Sequence, residues 1–246
     1  MGGFFIGEGN ARGRCPLPSF GNLAIWKFGN LAPPSLPAPT LRTLRPMLDG
    51  SSLKIVLHPA PVLRLKAAPV VLLPSGQVSD ATKAVVARMV EVMRKHHGIG
   101  LAAPQVGIAQ RIFIVDVPED EGDEAEGWEP RLKTDDPPGA SDGLKVYLNP
   151  VLHKPSRESD TQEEGCLSLP KIRGRIVRPM EIAVTATGLD GEQFTSRGGE
   201  LLARCWQHEY DHLEGVLIID RMLQADRMKT KKALKDLEAR GEPSRG

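Results

Sequence analysis

The strongest helical spacing in the chain lies between Asp80 and His97. Val85, Met89, Val92 and Met93 recur at three- and four-residue steps. That period predicts a helix over residues 80–97 with one buried stripe. Ser79 stands where an N-cap side chain accepts a backbone amide, and Asp80 places a negative charge in the first turn. Lys95, His96 and His97 close the helix, and Gly98 is placed to take the left-handed cap. A second helical pattern covers Gly199–Glu214. Leu201, Leu202, Cys205, Glu209, His212 and Leu213 fall along one side, and Gly215 follows as a stop. A third runs from Met222 to Arg240. It is highly charged, and Met228, Ala233, Leu234 and Leu237 are the residues it offers for docking.

Strand patterns are shorter. Arg111–Val117 is rich in Ile and Val, and Lys145–Asn149, Arg175–Val177 and Glu181–Thr187 read as further strands. In the last of these Ile182, Val184 and Ala186 alternate with polar neighbours, the period of a half-buried strand. Lys54–Leu57 is a short apolar run ended by His58-Pro59, because proline has no amide to donate to a ladder. No internal repeat is visible. Separate strands with few helices predict an α+β fold.

Two stretches carry no period. Residues 1–50 are rich in Gly and Pro and predict a disordered extension. From Met1 to Leu48 there is one acid, Glu8, against five bases. Arginines with few acids fit an organelle transit peptide, but serine is sparse and no arginine-lined amphipathic helix is present. A transit peptide and a plain extension stand as equal alternatives; the sparse serine leans toward the bacterial cytoplasm, with an organellar location following if residues 1–50 are a transit peptide. The second stretch, Glu119–Gly143, holds ten acids and two bases and predicts a solvated loop. The expected organisation is therefore an extension at 1–50, a catalytic domain at 51–223 interrupted by the 119–143 acidic insertion, and a helical tail at 224–246.

Composition narrows the function. The 246 residues are 40% hydrophobic and 26% charged, with a formal net charge of +1. No global basic field favours nucleic acid or membrane, and 4% aromatics do not furnish a base-stacking surface. No run approaches the ~18 apolar residues that span a bilayer. Three cysteines, Cys15, Cys166 and Cys205, do not form a secreted disulfide framework and fit a reducing compartment.

The chemistry centres on His208-Glu209-Tyr210-Asp211-His212. Residues four apart on a helix share a face, so His208 and His212 can offer two imidazole nitrogens to one metal. Glu209 is one residue on, where its carboxylate can reach a polarised water without being a ligand. Two incidental histidines on a core helix are the bland alternative; the amphipathic setting counts against it. A catalytic metal site needs a third protein ligand and an open position. No histidine follows His212, Glu214 is too close on the same helix, and the other glutamates lie in the tail. The donor should come from upstream, and Cys166 in Glu163-Glu164-Gly165-Cys166-Leu167-Ser168 is the best candidate. Taken alone it would pass for a buried structural cysteine; beside two histidines lacking a third ligand it reads as a thiolate donor. His96 and His97 read as helix-end cations, and His58 and His153 have no metal-like partner in the sequence. Cys15 is assigned no role.

Three segments in order complete the pattern: Gly98-Ile99-Gly100-Leu101-Ala102-Ala103-Pro104-Gln105-Val106-Gly107, Glu164-Gly165-Cys166-Leu167-Ser168, and Gln207-His208-Glu209-Tyr210-Asp211-His212. Together they resemble the motifs of peptide deformylases, in the bacterial and plant-organellar type 1 branch, over roughly residues 53–223. The resemblance implies small antiparallel sheets packed around a central metal-binding helix, with a C-terminal helix. It implies hydrolysis of the N-formyl group from the starting methionine of nascent polypeptides, met at the ribosome exit, with release of formate. Cys166, His208 and His212 would hold one divalent metal, iron(II) in preference to zinc, and Glu209 would be the catalytic carboxylate. Gln105 would donate through its side-chain amide and Leu167 through its backbone N–H. Gly100 would border the substrate, Arg173 would lie beside the cleft, and Ile99, Leu201 and Cys205 would line the methionine pocket. Two rivals stand beside this reading: a peptidase cutting internal bonds, and a non-enzyme with a structural Cys/His₂ metal site. The missing downstream ligand weighs against the first. Glu209 and Gln105, which a structural site does not need, weigh against the second.

Overall fold

The computed structural model describes residues 53–119 and 137–241. The extension at 1–50 and most of the acidic insertion lie outside the described residues. In chain order the elements are α1 (Asp80–Lys95), β1 (Gly100–Ala102), β2 (Ile112–Val115), β3 (Lys145–His153), β4 (Ser159–Cys166), β5 (Leu169–Pro179), β6 (Glu181–Thr187), β7 (Gln193–Gly199), α2 (Glu200–Leu213), α3 (Ile218–Arg221) and α4 (Gln224–Gly241). Two 3-10 turns, Pro61–Arg64 and Ala103–Val106, flank this frame. The fold is α+β, as the pattern predicts.

Five strands form one antiparallel sheet in the order β1-β2-β3-β6-β7, and β4 and β5 form a separate antiparallel pair. β2 reads Ile-Phe-Ile-Val without alternation because both of its faces are covered. Phe113 and Val115 pack with Tyr147, Val184, Leu202 and Trp206 on the α2 side. Ile112 and Ile114 pack with Val85, Met89, Val92 and Met93 of α1 on the other. Side chains this deeply buried contribute about 1.5–3 kcal/mol each. α2 thus lies between the large sheet and the β4–β5 pair, touching strands of both. A third apolar cluster, from Leu63, Leu169, Ile172, Ile176, Ile218, Met222 and Leu237, joins the pair to α3 and α4.

Some expectations need correction. β3 and β5 are longer than the apolar runs that predict them, and β1, β4 and β7 have no such run. Ladder hydrogen bonds do not depend on side-chain polarity, so Leu152 and His153 continue to pair with Val184 and Ala183. β4 is polar because its inward residues meet charged partners. Lys54–Leu57 joins no strand; its Val56 amide donates to the Gln105 carbonyl at 2.8 Å. The left-handed residue after α1 is His97 (φ 54), not Gly98. The Gly98 amide returns to the Met93 carbonyl at 3.0 Å, and the helix ends at Lys95, two residues earlier than expected. On α4, Leu237 is buried and Leu234 half-buried, but Met228 and Ala233 face solvent. Among the described residues no helix is long and apolar enough to cross a membrane.

α2 has no side-chain cap at its N-cap, Gly199. Backbone carbonyls at the end of the acidic insertion cap it instead: Gly199 N–H donates to Pro138 O and Leu202 N–H to Gly139 O, each at 2.9 Å. At the far end Gly215 turns the chain with φ 73, and a Cβ there would fall 2.6 Å from the Arg64 carbonyl oxygen.

Candidate active site

α2 presents Arg204, His208 and His212 at four-residue steps, so they form a stripe one turn apart. Opposite them runs β4, whose period of two turns Asp160, Gln162 and Glu164 the same way, ending in Cys166. A register shift between Gly165 and Cys166 marks the strand's end. The Cys166 sulfur and the imidazole nitrogens of His208 and His212 lie within 4.8 Å of one another, all buried. His212 Nε2 is 3.2 Å from Cys166 Sγ.

Each histidine is oriented differently. His208 Nδ1 lies 2.9 Å from Glu164 Oε2, which leaves its Nε2 for the centre of the cluster. Burial works to lower the His208 pKa, but hydrogen bonds to Cys166 and Glu164 outweigh it and lift the group to about 10. Burial and the charge of His208 push His212 well below its ordinary value. The surroundings therefore stabilise positive charge on the inner side of His208 while keeping His212 a neutral donor. One sulfur and two imidazole nitrogens at this spacing fit a divalent zinc or iron ion.

Glu164 is completely buried and stays anionic. Burial alone would raise its pKa, yet hydrogen bonds and charge from Arg178, with the bond to His208, hold it well below the usual carboxylate range. Arg178 grips both oxygens at 2.6 and 2.9 Å and reaches Asp211 Oδ2 at 2.9 Å. Arg204 Nη1 adds a bond to Glu164 Oε1 at 2.7 Å. Arg221 holds Asp211 from the outside at 2.5 Å. Sequence reasoning missed this network. Glu164 and Asp211 sit inside the recognisable motifs, which was a signal; Arg178 and Arg204 look like ordinary surface bases in sequence.

Glu209 points into the same space. Its Oε2 is buried with no hydrogen-bond partner, and burial pushes the carboxyl up to about 7 against the opposing charge of His208. A Cβ at Gly100 would sit 2.5 Å from Glu209 Oε1 and 2.7 Å from Cys205 Sγ, so only glycine lets β1 pass this close. Gln105 rides on the 3-10 turn behind β1. Its Oε1 accepts from the Ala102 amide at 2.7 Å, which fixes the amide so that Nε2 faces Cys166 Sγ at 3.5 Å.

The remaining expected residues divide. Cys205 and Ile99 meet beside Glu209: Cys205 Sγ is 3.7 Å from the Ile99 carbonyl, and burial pushes the thiol well up. Leu167 follows Cys166 in the turn between β4 and β5, its side chain in the α1 core. Leu201 is half-buried on the first turn of α2, on the same helical face as Cys205. Arg173 lies opposite Gly165 in the β4–β5 ladder, 3.6 Å from Glu163. A cavity of about 660 Å³ lies elsewhere, between the β6–β7 hairpin and Trp206, and neither Cys166, His208 nor His212 lines it. His58 and His153 also stand apart from the site, on Glu238 at 3.1 Å and Thr185 at 2.9 Å respectively.

Comparisons with known proteins bear on the domain as a whole. The sequence model of a family described as polypeptide deformylase matches residues 52–228. A peptide deformylase of Acidobacterium capsulatum is 38% identical over 189 residues, covering 76% of this chain and 96% of that protein. One from Thermotoga neapolitana is 38% identical over 183 residues, covering 74% and 94%. Among solved structures, a Plasmodium falciparum peptide deformylase matches with TM-score 0.64 and 30% identity over 78% of this chain and 99% of that one. An Arabidopsis thaliana peptide deformylase solved with an inhibitor matches with TM-score 0.63 and 33% identity, covering 78% and 97%.

Proposed function

The chain belongs to the polypeptide deformylase family, and from that premise we propose how its residues divide the work. The family's activity is metal-dependent hydrolysis of the N-formyl group from nascent polypeptides, and this chain is a hydrolase of that kind. Cys166, His208 and His212 would hold the metal. Iron(II) is the assigned ion, with zinc as the alternative that the same donor set accepts. When bound, such an ion supplies Lewis acidity, polarising a carbonyl and drawing the pKa of water toward neutrality.

The chain's own groups supply the rest. Glu209 takes a proton from the attacking water and returns it to the departing amine, and a carboxyl poised at about 7 can do both near neutral pH. The Gln105 amide and the Leu167 N–H donate to the oxygen that gains charge as the formyl carbonyl is attacked. One such donor is typically worth about 3–4 kcal/mol. Gly100 borders the formyl position, and its missing Cβ leaves room for a hydrogen-bearing carbon and little more. Ile99, Leu201 and Cys205 form the apolar lining for the methionine side chain, and Arg173 flanks the cleft. The catalytic domain is assigned to 51–223, with 119–143 as an insertion and 224–246 as the tail. The substrate exists only on newly made chains, so the ribosome exit in the cytoplasm is the assigned meeting place.

The orphaned Glu209 Oε2 beside the Cys/His/His cluster carries this reading, because a purely structural metal site would not retain a buried carboxylate without a partner. The test is formate release from an N-formyl-methionyl peptide by anaerobically prepared iron(II) protein. The parent should release formate and leave unformylated peptide intact. Glu209→Gln should still take up metal and run ~100-fold or more slower. No formate from the metal-loaded parent would refute the assignment.

A further inference from the structure

The metal-facing stripe of α2 begins one turn before the first histidine, at Arg204. Its side chain is 2% exposed, although it lies on the helix that carries the donors. Nη1 donates to Glu164 Oε1 at 2.7 Å and to the Ile176 carbonyl at 3.2 Å. Nη2 donates to the Asp160 carbonyl at 3.3 Å and to Asp160 Oδ1. Gln162 donates from Nε2 to the other Asp160 oxygen at 2.5 Å. An unbroken polar chain therefore runs Gln162, Asp160, Arg204, Glu164, His208.

Its regularity comes from two periods that nearly match. Two residues of strand advance about 6.6 Å and four residues of helix about 6 Å. Asp160 and Glu164 on β4 can therefore straddle Arg204, while Glu164 also reaches His208 a turn further on. His208 Nδ1 meets Glu164 Oε2 at 2.9 Å, so what fixes Glu164 helps to fix the imidazole. Arg178 grips Glu164 from β5, yet it also holds Asp211, which Arg221 shares. Arg204 grips Glu164 from the helix that bears His208. It therefore ties ligand and orienting carboxylate to one rigid element.

We propose that Arg204, anchored by Asp160, is a positioning residue for the metal centre: it holds Glu164 in register with His208 and so sets the direction of the His208 donor nitrogen. This rests on the assignment of Cys166, His208 and His212 as metal ligands. Removing Arg204 does not strip Glu164 of charge partners, since Arg178 and His208 remain. The expected change is in the aim of the imidazole rather than in the fold.

The full chain is loaded with cobalt(II), and its visible absorption bands and its rate of cobalt release to a chelator are measured. The variants are Arg204→Met, Arg204→Lys and Asp160→Asn. Arg204→Met should release cobalt ~10-fold or more faster than the parent, with shifted bands and cooperative unfolding retained. Arg204→Lys should recover part of that loss, and Asp160→Asn should fall between parent and Arg204→Met. A purely structural arginine would lower the melting temperature and leave both bands and release rate at the parent's values, which overturns the positioning role. If Arg204→Met does not fold, Asp160→Asn decides: the Asp160 side chain is 31% exposed and the change is isosteric, so parental bands and release rate there would also overturn it. A parent that takes up no cobalt overturns the ligand assignment beneath the proposal; a parent that takes it up while every variant matches it overturns only the proposal.

Discussion

α2 and α4 are helices of 14 and 18 residues that were built on opposite plans. Eleven residues of α2 are buried, and six of these are polar or charged: Arg204, Gln207, His208, Glu209, Asp211 and His212. On α4 only Asp226 and Leu237 are buried among the described side chains, and its lysines face solvent. Both read in sequence as charged helices with a few apolar residues. The difference lies in what surrounds them. α2 is buried because β4 and β5 supply counter-charges for Arg204 and Asp211, so much of its polar face is paired rather than solvated, with Glu209 the exception. α4 has no such wall: beyond the tie of Asp226 to Arg175 of β5, it rests on one apolar edge. A charged helix can therefore hold a reactive carboxylate only where a second element neutralises the rest of its charge.

The sharpest way to break the contrast is to remove the wall's main grip. Arg178→Met leaves Glu164 and Asp211, both deeply buried, without their shared partner. Breaking a buried pair from one side typically costs about 3–5 kcal/mol. Chemical denaturation should show a loss of that order, and formate release should fall with it because Glu164 no longer holds His208. A variant as stable and active as the parent would mean that Arg204 and Arg221 carry the network alone, and α2 would not depend on β5 as claimed.

The same contrast sets what could be read from the sequence. α1, β2 and β6 are legible because their apolar periods report burial directly: Val85 to Met93, the Ile-Phe-Ile-Val run, and the alternation of Ile182, Val184 and Ala186. The α+β class is legible from separate strands with few helices, the Cys/His/His cluster from two histidines four apart that lack a third ligand, and the family from three motifs in order. β4 was not, since its inward residues are Asp160, Gln162 and Glu164, the composition of a surface loop. Arg204 and Arg178 were not, because a buried arginine and an exposed one leave the same mark in a sequence. The docking edge of α4 was half legible: Leu234 and Leu237 dock, while Met228, equally apolar, does not, because no element among the described residues lies over it.

A smaller effect separates the helices by function. Leu237 joins Ile176, Met222 and Leu169 under α4 and is 8% exposed. Leu237→Ala should cost about 2 kcal/mol, the low end for a large-to-small change so near the surface. Hydrogen exchange should quicken along α4 while α2 stays protected and formate release is unchanged. Faster exchange in α2, or lost activity, would show that the tail is part of the catalytic body.

The smallest effect concerns the first turn of α4. Asp226 Oδ2 accepts from the Arg175 amide at 3.0 Å and from its Nε at 2.7 Å. These bonds, with the Arg175 charge, hold the carboxyl at about 2. A carboxylate whose pKa falls on folding stabilises the fold above its ordinary range and loses that contribution as pH drops through the folded value. The Asp226–Arg175 tie is therefore whole above about pH 4 and fades toward pH 2. Asp226→Asn should loosen α4 slightly at neutral pH, because a neutral amide offers the Arg175 guanidinium a weaker acceptor. As pH falls from 4 toward 2, the parent's extra protection over the variant at the start of α4, compared at each pH, should shrink. If the two rates instead differ equally at every pH, the carboxylate's charge is not what anchors the tail, and α4 is held by Leu234 and Leu237 alone.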